Sequence, residues 1–311
     1  MDTIDATTDS NDGLNAVIPF DGSDLATRAL EFARLFPLHS VVVLHVIPSS
    51  HRDVPPLTPD EQREWAELNL PDLDRLVSPL RKAGAAVSID VRSGDVAEEI
   101  IACAADRDLI IMTTSGKGAA GRFIFGSVAD RISRGATVPT LLIRANLLTD
   151  NIRLPARLLV PLDGSKRSEA ALGVAVNLAT RLTIPLQLVR AVDLEDVLAT
   201  ARRSRSQAAV ASQAVTFGDK TYDSAWKETV AQTTDYLARQ AERLRKNGLR
   251  VDTATLHGTP VFALLDEIRD DDLVVMTSHG QGGYQRWLIG SVAEKLVREA
   301  TSPVLLVPSR R

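Results

Sequence analysis

Short apolar runs rich in Val, Ile and Leu alternate along the chain with longer stretches of helical period, the pattern of a parallel sheet with crossover helices. In the first half the apolar runs are Asn15 to Phe20, Val41 to Ile47, Ala86 to Val91, Leu109 to Thr113 and Val138 to Ile143. In the second half they are Arg157 to Leu162, Leu186 to Val192, Arg250 to Thr255, Leu273 to Thr277 and Val304 to Val307. Five strands per half are expected. Between them the three-and-four spacing of Leu25, Ala29, Phe32 and Leu35 predicts a helix over 24–35, and a longer one is expected over 68–83, ending at Gly84.

The pattern is a repeat. Val17-Ile18-Pro19-Phe20-Asp21-Gly22-Ser23 returns as Leu159-Val160-Pro161-Leu162-Asp163-Gly164-Ser165. From Gly84 to Pro139 the second copy lies 164 residues on, pairing Gly94 with Gly258, Gly116 with Gly280 and Gly126 with Gly290. An unbroken register over that distance means two copies of one domain, and 311 residues hold two domains of about 150. The expected organisation is a disordered leader over 1–13, a first domain over 14–146, a linker over 147–155 and a second domain over 156–311. The copies differ between their second and third strands, where the second carries an insertion over about 193–233. Its basic stretch, Ala201-Arg202-Arg203-Ser204-Arg205-Ser206, reads as an exposed helix and loop with solvated charges, or else as a docking element.

Charge and composition narrow the classes. With 36 basic and 40 acidic residues the net charge is -4, without the basic excess that phosphate-backbone binding demands, so nucleic acid is not an expected partner. No segment reaches the roughly 18 apolar residues that span a bilayer, and no signal-type start is present, so a soluble, cytoplasmic protein is expected. The single cysteine, Cys103, excludes an internal disulfide and reads as a buried small hydrophobe. His45 reads as a packed strand residue, and His39 and His51 as loop residues.

In an open parallel sheet a ligand sits beyond the carboxyl ends of the strands, where the strand order reverses. The repeated small polar clusters fall there. Asp21-Gly22-Ser23 follows strand one, Thr113-Thr114-Ser115-Gly116 follows strand four, and Gly126-Ser127 opens the last helix; Asp163-Gly164-Ser165, Thr277-Ser278-His279-Gly280 and Gly290-Ser291 take the same stations. A Gly-Ser at a helix start leaves first-turn N-H groups aimed outward and lets a phosphate approach closely. The nine residues after Gly116 would loop over that phosphate, with Lys117 and Arg122 in reach. Asp21 and Asp163 have two readings: a turn-former that caps the next helix, or a carboxylate that accepts from an adenine amino group.

Together these motifs resemble the universal stress protein family in its nucleotide-binding branch, whose mark is Gly, two residues, Gly, nine residues, Gly, then Ser or Thr. The resemblance covers both copies. It implies two tandem Rossmann-like domains of the adenine nucleotide alpha hydrolase-like type, each a five-stranded parallel sheet flanked by helices. It further implies ATP, with or without magnesium, as ligand, and pairing of domains through their last strands, within one chain or between two chains of a homodimer. By position it assigns Pro19, Asp21, Val46, Thr113, Gly116, Lys117, Gly126 and Ser127 to the first site. The second site takes Pro161, Asp163, Ala191, Thr277, His279, Gly280, Gly290 and Ser291. Two departures stand out: Thr113 and Thr277 replace the motif's first glycine, and Ser115-Gly116-Lys117 replaces the His-Gly that His279-Gly280 keeps. Unequal affinities are expected.

There is no G-x-x-x-x-G-K-[ST], and Asp-Gly-Ser does not match the Ser-Gly-Gly-x-Asp-Ser loop of related adenylating folds, so rapid phosphoryl transfer is not expected. The leading expectation is a regulatory ATP-binding protein of the stress response acting on a protein partner that the sequence does not name. The alternatives are an interaction scaffold with lapsed sites, and a slow ATPase or self-phosphorylating protein using Ser127 or Ser291.

Overall fold

The computed structural model describes residues 13–49, 57–114, 125–144, 147, 152–209, 219–279 and 289–308, with side chains left aside at 203–209 and 219–221. In chain order the first half runs β1 (Leu14–Pro19), α1 (Asp24–Ala33), β2 (Leu38–Pro48), α2 (Pro59–Asn69), α3 (Leu73–Lys82), β3 (Ala86–Gly94), α4 (Val96–Ala104), β4 (Leu109–Thr113), α5 (Ser127–Gly135) and β5 (Thr140–Ile143). The second half runs β6 (Arg157–Pro161), α6 (Lys166–Leu182), β7 (Leu186–Val192), α7 (Leu194–Ala209), α8 (Asp219–Arg245), β8 (Val251–His257), α9 (Pro260–Glu267), β9 (Asp272–Thr277), α10 (Ser291–Glu299) and β10 (Val304–Val307).

All ten strands form one sheet in the order β3-β2-β1-β4-β5-β10-β9-β6-β7-β8. Within each half the strands are parallel and the order reverses between the first and fourth strands, β1 and β4 in one half and β6 and β9 in the other. The halves meet at β5 and β10, which pair antiparallel, the pairing within one chain that the resemblance implies. Arg144 reinforces the seam by donating from Nη1 to the Ala300 carbonyl, 2.6 Å away, at the end of α10. Apolar residues cover both faces. Ile18, Val43, Ile111, Val160 and Leu188 point to the side of α1, α3, α6 and α8, while Val17, Val42, Ile110, Val189 and Val274 point to the side of α4, α5, α9 and α10.

Two local expectations change. The helix expected over 68–83 is two helices, because Pro71 lacks an N-H and disfavours helical backbone at Leu70, which sits at φ -131 and ψ 54. The upstream helix, α2, starts at a capping box in which Thr58 and Glu61 bond each other's backbone. The insertion is more than a solvated excursion. It supplies α7 and the start of α8: Val197 and Ala225 pack with Val192 of β7, and Thr200, Thr229 and Thr233 are buried as well. His39 opens β2 rather than a loop; His51 and the leader lie outside the described residues.

Below the sheet, at the ends remote from the strand tips, Arg157 and Asp272 form a buried bidentate pair with N···O distances of 2.6 and 3.0 Å. Asp272 is fully buried there. The first repeat solves the same place without charge on one side: Asn15 donates from its backbone N and its Nδ2 to Asp108, at 2.8 and 3.0 Å.

Candidate functional site

The tip of each first strand turns sharply. Gly22 and Gly164 adopt φ of 75 and 82, the left-handed region open to glycine. The aspartate before each glycine holds the turn: Asp21 Oδ1 accepts from Ser23 N at 3.0 Å and Asp163 Oδ1 from Ser165 N at 2.8 Å. The following helices are capped by serine rather than by the aspartates. Ser23 accepts from Ala26 N and Ser165 from Ser168 N. The carboxylates remain half-buried at the strand tips.

The fourth-strand tip and the last helix are tied together in both halves by one repeated bond. Gly126 N donates to the Thr114 carbonyl and Gly290 N to the Ser278 carbonyl, each at 2.7 Å. Gly126 and Gly290 are the N-caps of α5 and α10, at φ -66 and -63, and neither helix has a side-chain cap bond. Ser127 and Ser291 are exposed first-turn residues. The helix tips therefore present backbone N-H groups beside the strand ends, where a helix favours an anion.

In the second half these parts surround a cavity of 1040 Å³, at the upper end of the usual ligand-pocket range of about 300–1,000 Å³. Pro161, Asp163 and Ala191 line it from the first two strands, and Thr277, His279, Gly290 and Ser291 line it from the fourth strand and the last helix. In the first half Pro19 ends β1 and Asp21 lies in the turn after it, Val46 lies in β2, and Thr113 is buried at the end of β4. Gly116, Lys117 and Gly280, with Arg122, fall outside the described residues.

The threonines that replace the motif's first glycine are buried, and the Thr277 hydroxyl donates to the His279 carbonyl at 2.8 Å. That hydroxyl shapes the strand end. His279 itself is half-buried on the cavity wall, with Nδ1 3.1 Å from Ser278 Oγ and Nε2 buried with no hydrogen-bond partner among the described residues. Burial, followed by the positive charges of Arg167 and Arg134, lowers its pKa below the ordinary 6.5. A neutral ring with an orphaned nitrogen is a position that a ligand oxygen can satisfy.

The sequence reading missed one wall. Asp193, Glu195, Asp196, Leu198, Ala199 and Arg202 of the insertion border the same cavity. The available signal was the spacing of Val197, Thr200 and Ala201, which puts one face of the helix inward. Asp196 also approaches Arg190, 3.6 Å away, whose guanidinium lies over the Tyr236 ring. In the first repeat the same strand position is His45, packed at 4.6 Å on Trp65 with Nδ1 2.7 Å from the Phe20 carbonyl. The two strand-one turns thus face different side chains.

Two doubly wound α/β halves, each with a helix tip tied beside the switch point of its sheet, define the class of protein. The Universal stress protein family model matches residues 15–144 and 156–308, and the chain belongs to that family. A universal stress protein of Mycolicibacterium smegmatis is 27% identical over 234 residues, which cover 73% of this chain and 70% of the relative. One from Mycobacterium tuberculosis is 26% identical over 320 residues, covering 95% of this chain and 97% of its own length. Among solved structures, a universal stress protein from Archaeoglobus fulgidus aligns with a TM-score of 0.63 over 96% of this chain and 97% of that one. At 22% identity that last likeness is one of fold.

Proposed function

We propose that the protein binds ATP in one or both halves as a regulatory ligand of a stress response, with little or slow hydrolysis. The observation that carries this reading is the second-half cavity, which brings a strand-tip carboxylate, an orphaned imidazole nitrogen and an uncapped helix N-terminus to one space. Asp163 would accept from the adenine amino group, Ala191 would contact the base from β7, and Gly290 and Ser291 would offer N-H and hydroxyl donors to the phosphates. His279 would add a donor beside them. Asp21, Val46, Gly126 and Ser127 would play these parts in the first half.

ATP would act by differential stabilisation. A ligand that binds only the folded, ordered site stabilises it by about 2.7 kcal/mol at a hundredfold excess over Kd, enough to alter the surface a partner meets. The test is thermal unfolding with and without ATP. The wild type should melt higher with ATP, and Gly126→Val together with Gly290→Val should remove the shift. Val suits the extended backbone at both N-caps, so the variant should still fold. An unshifted wild type at millimolar ATP would end this reading.

A further inference from the structure

The β5–β10 pairing is centred on Leu141 opposite Leu305, residues that hold the same place in the two repeats. Leu142 faces Val304 and Thr140 faces Leu306, so each pair recurs with the halves exchanged. Such a junction has the form of a two-fold interface in its strand pairing, so an element of one half that meets the other has a counterpart element in the reverse direction.

One contact of this kind involves the candidate sites. Arg298 of α10 lies over the ring of Phe125, its Cζ 5.4 Å from the centroid, and Phe125 immediately precedes the N-cap of α5. An arginine of the second half therefore stands beside the helix tip of the first-half site. Its repeat equivalent is Arg134, and the equivalents of Phe125 and Gly126 are Ile289 and Gly290 at the head of α10. In the reverse direction the Arg134 charge acts on His279, and Glu294 acts on Arg134, at that end of the second half.

Each arginine is held one turn along its own helix by an acid of the first turn. Arg134 meets Asp130 at 3.0 and 2.9 Å, and Arg298 meets Glu294 at 3.2 and 3.0 Å. Neither pair is fully buried: Arg134 retains 25% and Arg298 41% of its side-chain exposure. A guanidinium in a solvated pair can exchange one carboxylate for a phosphate at little cost, because solvent screens such a pair and leaves it weak. Planar guanidinium also suits phosphate better than ammonium does.

We propose that each half completes the other's nucleotide site, with Arg298 serving the phosphates at the α5 tip and Arg134 those at the α10 tip. The assignment rests on the nucleotide reading given above. It makes the seam between β5 and β10 part of both sites, so that neither half alone carries a full complement of phosphate ligands.

The experiment is calorimetric titration of the full chain in two single-site backgrounds. With Gly290→Val leaving the first-half site, Arg298→Gln should weaken ATP about tenfold, the scale of a lost charge-assisted hydrogen bond. AMP, which lacks the outer phosphates, should weaken far less, and Arg298→Lys should recover part of the ATP loss. With Gly126→Val leaving the second-half site, Arg134→Gln should do the same. Equal losses for ATP and AMP, or arginine variants that bind ATP as the background does, would overturn the exchange while leaving the nucleotide reading intact. Absence of ATP binding in the wild type would overturn both.

Discussion

Ligand binding in the second half should draw a proton onto His279. In the folded chain its pKa lies below 6.5 because burial and the charges of Arg167 and Arg134 disfavour the imidazolium. The Ser278 hydroxyl lies 3.1 Å from Nδ1, and Nε2 is buried with no hydrogen-bond partner among the described residues. Without ligand, the unfolded chain takes up this proton before the folded one does. The contribution of His279 to stability is therefore present above 6.5 and is lost as pH falls through the folded value.

A phosphate at the α10 tip reverses the preference, since an anion nearby favours the charged ring and raises its pKa. Between the free and bound pKa values, binding takes up as much as one proton. The affinity then improves as pH falls through the ring's bound-state pKa, with a ceiling of about tenfold per pH unit for one linked proton. The assay is calorimetry in the Gly126→Val background, run in two buffers of different ionisation enthalpy so that proton uptake is counted directly. The terminal phosphate itself titrates near about 6, so His279→Asn supplies the reference slope. Steeper pH dependence with His279 than with Asn is expected. Identical slopes and identical proton counts would refute the placement of His279 against the phosphates.

Four further outcomes follow from the packing. Arg157→Ala strands the fully buried Asp272 carboxylate and should cost about 3–5 kcal/mol in urea unfolding; a cost below about 1 kcal/mol would show the pair to be hydrated. Gly164→Ala puts a Cβ 2.5 Å from Arg190 Nη1 at a φ of 82 and should destabilise by about 1–2 kcal/mol from backbone strain alone. Gly173→Ala, in the interior of α6 with nothing within 4 Å, should stabilise by up to about 1 kcal/mol. Cys103 is 4% exposed with its pKa raised by burial, so a thiol reagent should modify it only as fast as the chain opens, and labelling of the native protein at the rate of a free thiol would contradict its packing.

Much of the fold could be read from period and punctuation. Runs such as Leu109 to Thr113 and Leu273 to Thr277 are buried on both faces, so their apolar continuity marks them as strands whatever their neighbours do. The repeat located the strand tips, and the helix N-caps at Gly126 and Gly290 followed from the glycine-serine pairs. What stayed hidden depends on tertiary partners. The Leu70 break is local and legible in Pro71, but the inward face of α7 has meaning only once β7 and α8 are beside it. The sequence also left open whether Asp21 and Asp163 cap helices. They hold turns, because Ser23 and Ser165 sit two positions closer to the helix and cap it instead. The approach of Arg298 to Phe125 crosses the seam between the halves, and no spacing within one repeat encodes it.

The most direct measurement is native mass spectrometry of the freshly purified full chain, followed by the same spectrum after addition of ATP. At least one bound adenine nucleotide per chain is predicted, diminished by Asp163→Ala and lost when Gly126 and Gly290 both become valine. A chain that remains bare at millimolar ATP, or one whose nucleotide survives the paired glycine substitutions, would contradict the claim that the strand tips and helix tips of this fold form a nucleotide site.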